Sequence, residues 1–82
     1  MLTADDRTPV AVLATLISTR DRRSLRWTWR GRVTPIDGAS LLDCFFRADS
    51  VQLYVAGQPN PCIITSLGLG NSEVEGLAPP TF

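Results

Sequence analysis

The chain has no histidine, no lysine and only two cysteines, Cys44 and Cys62. Without histidine the commonest acid-base side chain is missing, and neither a Ser-His-Asp nor a Cys-His arrangement can be assembled. The carboxylates offer no replacement, because Asp37, Asp43 and Asp49 are scattered with no spacing that pairs them across a cleft. Two thiols outside any CxxC pair, with no imidazole, cannot make a four-ligand zinc site of nitrogen and sulfur within one chain. A phosphate-cradling glycine loop is absent too: Gly68-Leu-Gly70 lacks the third glycine, the lysine and a following helix. The expectation is a protein that is not an enzyme and that needs no metal or cofactor.

Long apolar runs are also missing. Val10 to Ile17 is the main apolar stretch, and it falls well short of the ~20 residues that a membrane-spanning helix requires. Asp5 and Asp6 stand where a signal peptide would carry positive charge, and no small-residue cleavage site follows. Cytoplasmic synthesis without a signal peptide, and no membrane partner, is therefore expected. Under these conditions two free thiols acting as small hydrophobes are the simpler reading of Cys44 and Cys62, with a disulfide as the alternative if their strands are neighbours.

What is present fits one globular domain. The 82 residues are 44% hydrophobic and 20% charged, and a chain this short buries only a little over ~60% of its unfolded surface. A core of that size favours help from a partner or an oligomer.

The charged residues are unevenly spread. Formal net charge is zero, yet six of the eight arginines lie between positions 20 and 32, while Glu73 and Glu75 stand in a C-terminal region without a base. From Leu25 the odd positions Leu25, Trp27, Trp29, Gly31 and Val33 alternate with Arg26, Thr28, Arg30, Arg32 and Thr34, the period-two pattern of a half-buried strand. This predicts a row of Arg26, Arg30 and Arg32 on one face, with Trp27, Trp29 and Val33 in the core beside Leu53 and Val55. The exclusive use of arginine is explained by codon composition or by a need for bidentate forks that grip planar anions.

Along the chain, residues 1–8 read as a short acidic arm. Val10 to Ser18 is expected as a strand rich in Val, Ile and Thr, the alternative being a helix with Thr8 as N-cap and Pro9 at its first position, and a polar connection joins it to the arginine strand in a long hairpin. Ile36-Asp-Gly38 reads as a turn. Residues 40–47 are expected as a strand, with a helix capped by Ser40 as the alternative. Val51 to Ala56 is a strand, Gly57-Gln-Pro-Asn-Pro61 a turn, and Cys62 to Leu67 the last strand. The predicted fold is all-β, a five-stranded antiparallel barrel or sandwich over residues 9–67, the alternative being α+β with a short helix at about 39–47. Residues 68–82 hold three glycines and the Pro79-Pro80 pair, and read as an extended arm whose Leu69, Val74, Leu77 and Phe82 fill pockets on this domain or on a neighbour.

Three functional expectations follow. The first is a noncatalytic structural or assembly protein that binds other protein subunits, its own copies or different ones, through Arg26, Arg30, Arg32, Leu69, Val74, Leu77 and Phe82. A virion component, as of a phage, is the expected setting. The second is a small-barrel nucleic-acid binder using the arginine row, against which stand the neutral total charge and the placement of both tryptophans on the opposite face. The third is a small host-directed inhibitor protein.

Overall fold

The computed structural model describes residues 1–4, 7–38, 40–48, 50–68 and 70–82. Six strands and one short helix follow in the order β1 (Leu2–Ala4), β2 (Val12–Arg20), β3 (Trp27–Pro35), α1 (Leu41–Phe45), β4 (Val51–Val55), β5 (Gln58–Leu67) and β6 (Ser72–Gly76). They form one antiparallel sheet in the spatial order β1-β4-β5-β6-β3-β2, curled into a half-barrel. The fold class is all-β. At one corner the two edges of the sheet meet, where Leu2 and Val10 exchange backbone hydrogen bonds of 2.9 and 3.0 Å. Beyond Val10 the barrel stays open along β2.

The concave face holds the core. Trp29, Val33, Leu53, Val51, Cys62, Val74, Leu2 and Val10 point into it, and Leu41 and Phe45 of α1 cover one side. Trp29, Val33 and Leu53 are buried as their alternation predicts, and Val55 is half-buried. Trp27 is not: 47% of its surface is exposed. The reason is the reach of the hairpin, because β3 pairs with β6 only over Arg30–Val33 while its first residues run past the edge of the core.

Leu41–Phe45 forms α1 in place of the strand expected over residues 40–47. Ser40 Oγ accepts from the Asp43 amide at 3.3 Å and the Ser40 carbonyl from the Cys44 amide at 3.0 Å, closing the first turn. Leu41 and Phe45, four residues apart, then fall on one side and are both buried, whereas a strand would have aligned Leu42, Cys44 and Phe46, the last of which is exposed. The turn expected over residues 57–61 is shorter: Ala56 and Gly57, with φ of 50° and 79°, join β4 to β5 and the prolines belong to the strand. The Pro61 carbonyl accepts from the Leu77 amide at 2.9 Å, so the prolines turn their missing donors away from β4 and cost its ladder nothing.

Both expected arms are largely structured. Leu2–Ala4 forms β1, with Leu2 and Ala4 in the core. Of the C-terminal segment, Ser72–Gly76 is β6, which fills the gap between β5 and β3 and buries Val74. Residues 77–82 then fold back over the concave face. The buried Asn60 carboxamide oxygen accepts from the Thr81 amide at 2.8 Å and its hydroxyl at 3.1 Å. The Phe82 ring meets Trp29 in a T-shaped contact with centroids 5.5 Å apart. Trp29 lies so close over Gly76 that a Cβ there would overlap the indole, which explains a glycine at the end of a central strand.

Candidate functional site

The β2–β3 hairpin is the feature that the core does not explain. Its two nine-residue strands run about 30 Å at the usual rise per residue and account for much of the 39 Å long axis. The loop joining them is built on Asp21. Its carboxylate accepts from the Arg23 amide at 2.7 Å and the Ser24 amide at 3.1 Å, while the Asp21 amide donates to the Arg26 carbonyl at 2.8 Å. Hydrogen bonds from the backbone of Ser24 and Arg23 hold the Asp21 carboxyl below the usual carboxylate range. Leu25 takes a left-handed φ of 59° to complete the loop.

This loop breaks the predicted arginine row. Arg26 lies in the turn, its amide donating to Ser24 Oγ at 3.3 Å, so strand alternation starts at Trp27. Arg26 therefore joins Arg20, Arg22 and Arg23 at the hairpin tip, where all four are exposed and, among the described residues, form no ion pair. Arg30 and Arg32 remain on the convex face and stand across from Glu75 and Glu73 of β6. Arg32 reaches Glu73 at 3.5 Å with both side chains more than half exposed, a contact worth at most a few tenths to ~1 kcal/mol. With the outward residues of β2 this checkerboard frames an open depression of about 500 Å³ lined by Thr15, Ile17, Arg30, Arg32, Glu73 and Glu75. Its charges cancel in pairs, so it is a poor track for a phosphate backbone.

The other expected contact residues divide. Val74 belongs to the core, Phe82 packs on Trp29 of its own chain, and Leu77 is exposed. Leu69 lies outside the described residues, as do Asp49 and the acidic pair Asp5 and Asp6.

Pattern reading overlooked the edge of β2. Leu13 and Ile17 on its convex face are 67% and 51% exposed, and Ala14 and Ser18 on the other face are exposed too. Hydrogen bonds at both ends fix how its backbone points. Asp21 pairs with Arg26 at the tip and the Ile36 amide donates to the Ala11 carbonyl at 3.0 Å at the base, so odd-numbered residues bond to β3. The even-numbered Val12, Ala14, Leu16, Ser18 and Arg20 turn their N–H and C=O groups to the open edge. Val10, the preceding even residue, already spends its pair on Leu2. No sequence signal distinguishes such a strand from a central one, since Val12–Arg20 holds neither a proline nor an internal charge. Glu73 and Glu75 repeat the spacing of Arg30 and Arg32 with opposite sign, which is visible in the sequence, whereas their facing one another is not.

The remaining surface offers little chemistry. Cys62 is a buried free thiol, pushed up to about 11 by burial, and Cys44 is a half-buried free thiol. Among the described residues no group of three His, Cys, Asp or Glu side chains could hold a metal, and no helix is long and apolar enough to cross a membrane. Compared with known proteins, the chain matches no family model, no curated protein and no solved structure.

Proposed function

We propose that this chain is a noncatalytic assembly module that binds protein subunits through its β2–β3 hairpin. The observation that carries this reading is the bare edge of β2: nine residues with five outward-facing backbone positions, no proline, no lysine and no charge before Arg20 at its end. Soluble proteins ordinarily blunt such an edge, because it pairs with any available strand, and leaving it unblunted makes sense where a partner strand covers it. Leu13, Ile17, Leu25 and Trp27 add exposed apolar surface to the same hairpin, and the tip arginines add anchors of the type enriched at interfaces. The C-terminal segment has no part in this reading, since β6 and Phe82 are used inside the chain. The setting proposed is a large assembly such as a phage or viral particle, by analogy with the compact β modules of such assemblies.

One observation favours a second reading, single-stranded nucleic-acid binding. Trp27 is exposed directly across the ladder from Arg20 and follows Arg26, which sets a stacking surface beside guanidinium groups. Fluorescence anisotropy with generic single-stranded DNA decides between them. The assembly reading expects negligible binding at physiological salt and a discrete oligomer or subunit complex with the absorbance ratio of pure protein. Submicromolar binding that weakens steeply with salt, as counterion release demands, would overturn it in favour of the second reading.

A further inference from the structure

Resting on the assembly reading, we infer that the partner of the β2 edge is a second copy of this chain, joined antiparallel about a two-fold axis at Leu16. The backbone alone makes the pairing possible. Leu16 is the midpoint of Val12–Arg20, and it is one of the residues whose N–H and C=O face outward. A two-fold axis there sets Leu16 against Leu16 of the second copy, Ala14 against Ser18 and Val12 against Arg20, so every outward-facing residue meets another outward-facing one. All nine residues pair. An axis at Ser18 sets Arg20 against Leu16 and pairs only residues 16–20, and one nearer the base runs into Val10, which is already bonded to Leu2.

The side chains agree with this register. On the convex face Thr15 stands opposite Ile17 of the second copy, a pair of β-branched residues suited to a ladder. Leu13 lies diagonal to the other Ile17, so the four exposed aliphatic side chains gather around the axis and cover one another. On the concave face small residues oppose small, Ala14 against Ser18, and no two like charges face each other.

Charge selects a copy of this chain as the occupant and fixes its direction. Residues 20–26 hold four arginines and one aspartate, yet the whole chain is neutral, so the remainder carries an equal negative excess. The tip of one copy is thus complementary to the body of another. Antiparallel pairing puts each arginine tip at the base of its neighbour's β2, away from the neighbour's own tip, while parallel pairing would place the two arginine tips together. The product is a twelve-stranded sheet in which the open edges of both half-barrels disappear.

Light scattering on the full chain at about 100 μM tests the inference, together with two variants. The expected mass is twice the 8.9 kDa of one chain. Ser18→Pro removes an outward-facing donor without touching the β2–β3 ladder, and should halve the mass while the circular dichroism spectrum stays unchanged. Leu16→Cys, with Cys44 replaced by serine, should oxidise to a covalent dimer, because facing hydrogen-bonded residues lie ~5.5 Å apart at Cα, within disulfide reach. Leu13→Cys should not. The cross-link decides should Ser18→Pro fail to fold. A wild-type monomer at this concentration, a dimer that survives Ser18→Pro in folded form, or cross-linking through Leu13→Cys alone would each overturn the self-pairing. The first of these, combined with tight DNA binding, overturns the assembly reading as well. Without DNA binding it leaves the edge to a different protein subunit.

Discussion

At the scale of single residues, three side chains hold the concave face together, and each does so by filling a position that the backbone leaves open. Trp29 occupies the space above Gly76 and takes Phe82 against its ring. Asn60, buried within β5, donates to the Leu53 and Gln58 carbonyls and accepts from Thr81, so one carboxamide ties two strands to the chain end. Cys62 fills the same core as a small hydrophobe, and its burial gives a pH dependence whose sign is fixed. The native state keeps the thiol proton more tightly than the unfolded chain, with its pKa raised from 9.0 to about 11. Stability is therefore full below pH 9, declines as pH rises from 9 to 11, and levels off above, with a loss on the order of 2 to 3 kcal/mol. Urea melts at intervals from pH 8 to 11 should show this decline, and Cys62→Ala should remove that component of it. A wild-type slope identical to that of the variant would show that the thiol is reached by solvent.

At the scale of elements, β6 decides what the C-terminal region is. Its two neighbours cannot reach each other without it, since β3 and β5 bond to opposite sides of β6. Truncation after Leu67 should accordingly abolish folding, seen as loss of the β-sheet circular dichroism signal and of a cooperative melt. A truncated chain that still folds would mean that β3 and β5 pair directly. The helix α1 shows the same dependence on context on a smaller scale. Five residues are too few to be stable alone, and they persist because Ser40 caps them and because Leu41 and Phe45 complete the core.

At the scale of the whole molecule, the half-barrel separates a closed base from an open tip. Near β1 the chain ends are tied in: the Tyr54 amide donates to the Met1 carbonyl at 2.8 Å, Val10 closes the corner, and residues 77–82 cover Trp29 and Asn60. Truncation after Gly76 keeps all six strands but uncovers the indole. It should fold with lower stability, by roughly 1 to 2 kcal/mol for the ring alone, since Phe82 is little more than half buried, and with red-shifted tryptophan emission. Unchanged emission and stability would show that the last six residues contribute nothing to the core. The far end, with its four arginines, is free of such ties, and the molecule's only long unpaired edge among the described residues runs between the two regions.

Period-two alternation made the all-β class legible, along with the long hairpin, β4, most of β5 and the burial of Trp29, Val33 and Leu53, because alternation reports directly which side of a strand faces apolar surroundings. It also separated Arg30 and Arg32 from the core. It could not show that Glu73 and Glu75 stand across from them, since register between strands distant in sequence is set by three-dimensional pairing. Nor could it show that glycines after Leu67 lead into a central strand: Gly76 reads locally as a breaker, and only the indole packed over it gives the missing side chain a purpose. Trp27 and Trp29 look equivalent in the sequence and differ in the structure because β6 reaches no further than Gly76, over which Trp29 packs, while Trp27 lies beyond it. The sequence by itself determined which residues can alternate and where charge gathers. Tertiary structure alone decided which strand became the edge, because an edge is defined by the absence of a neighbour, and no residue encodes that absence.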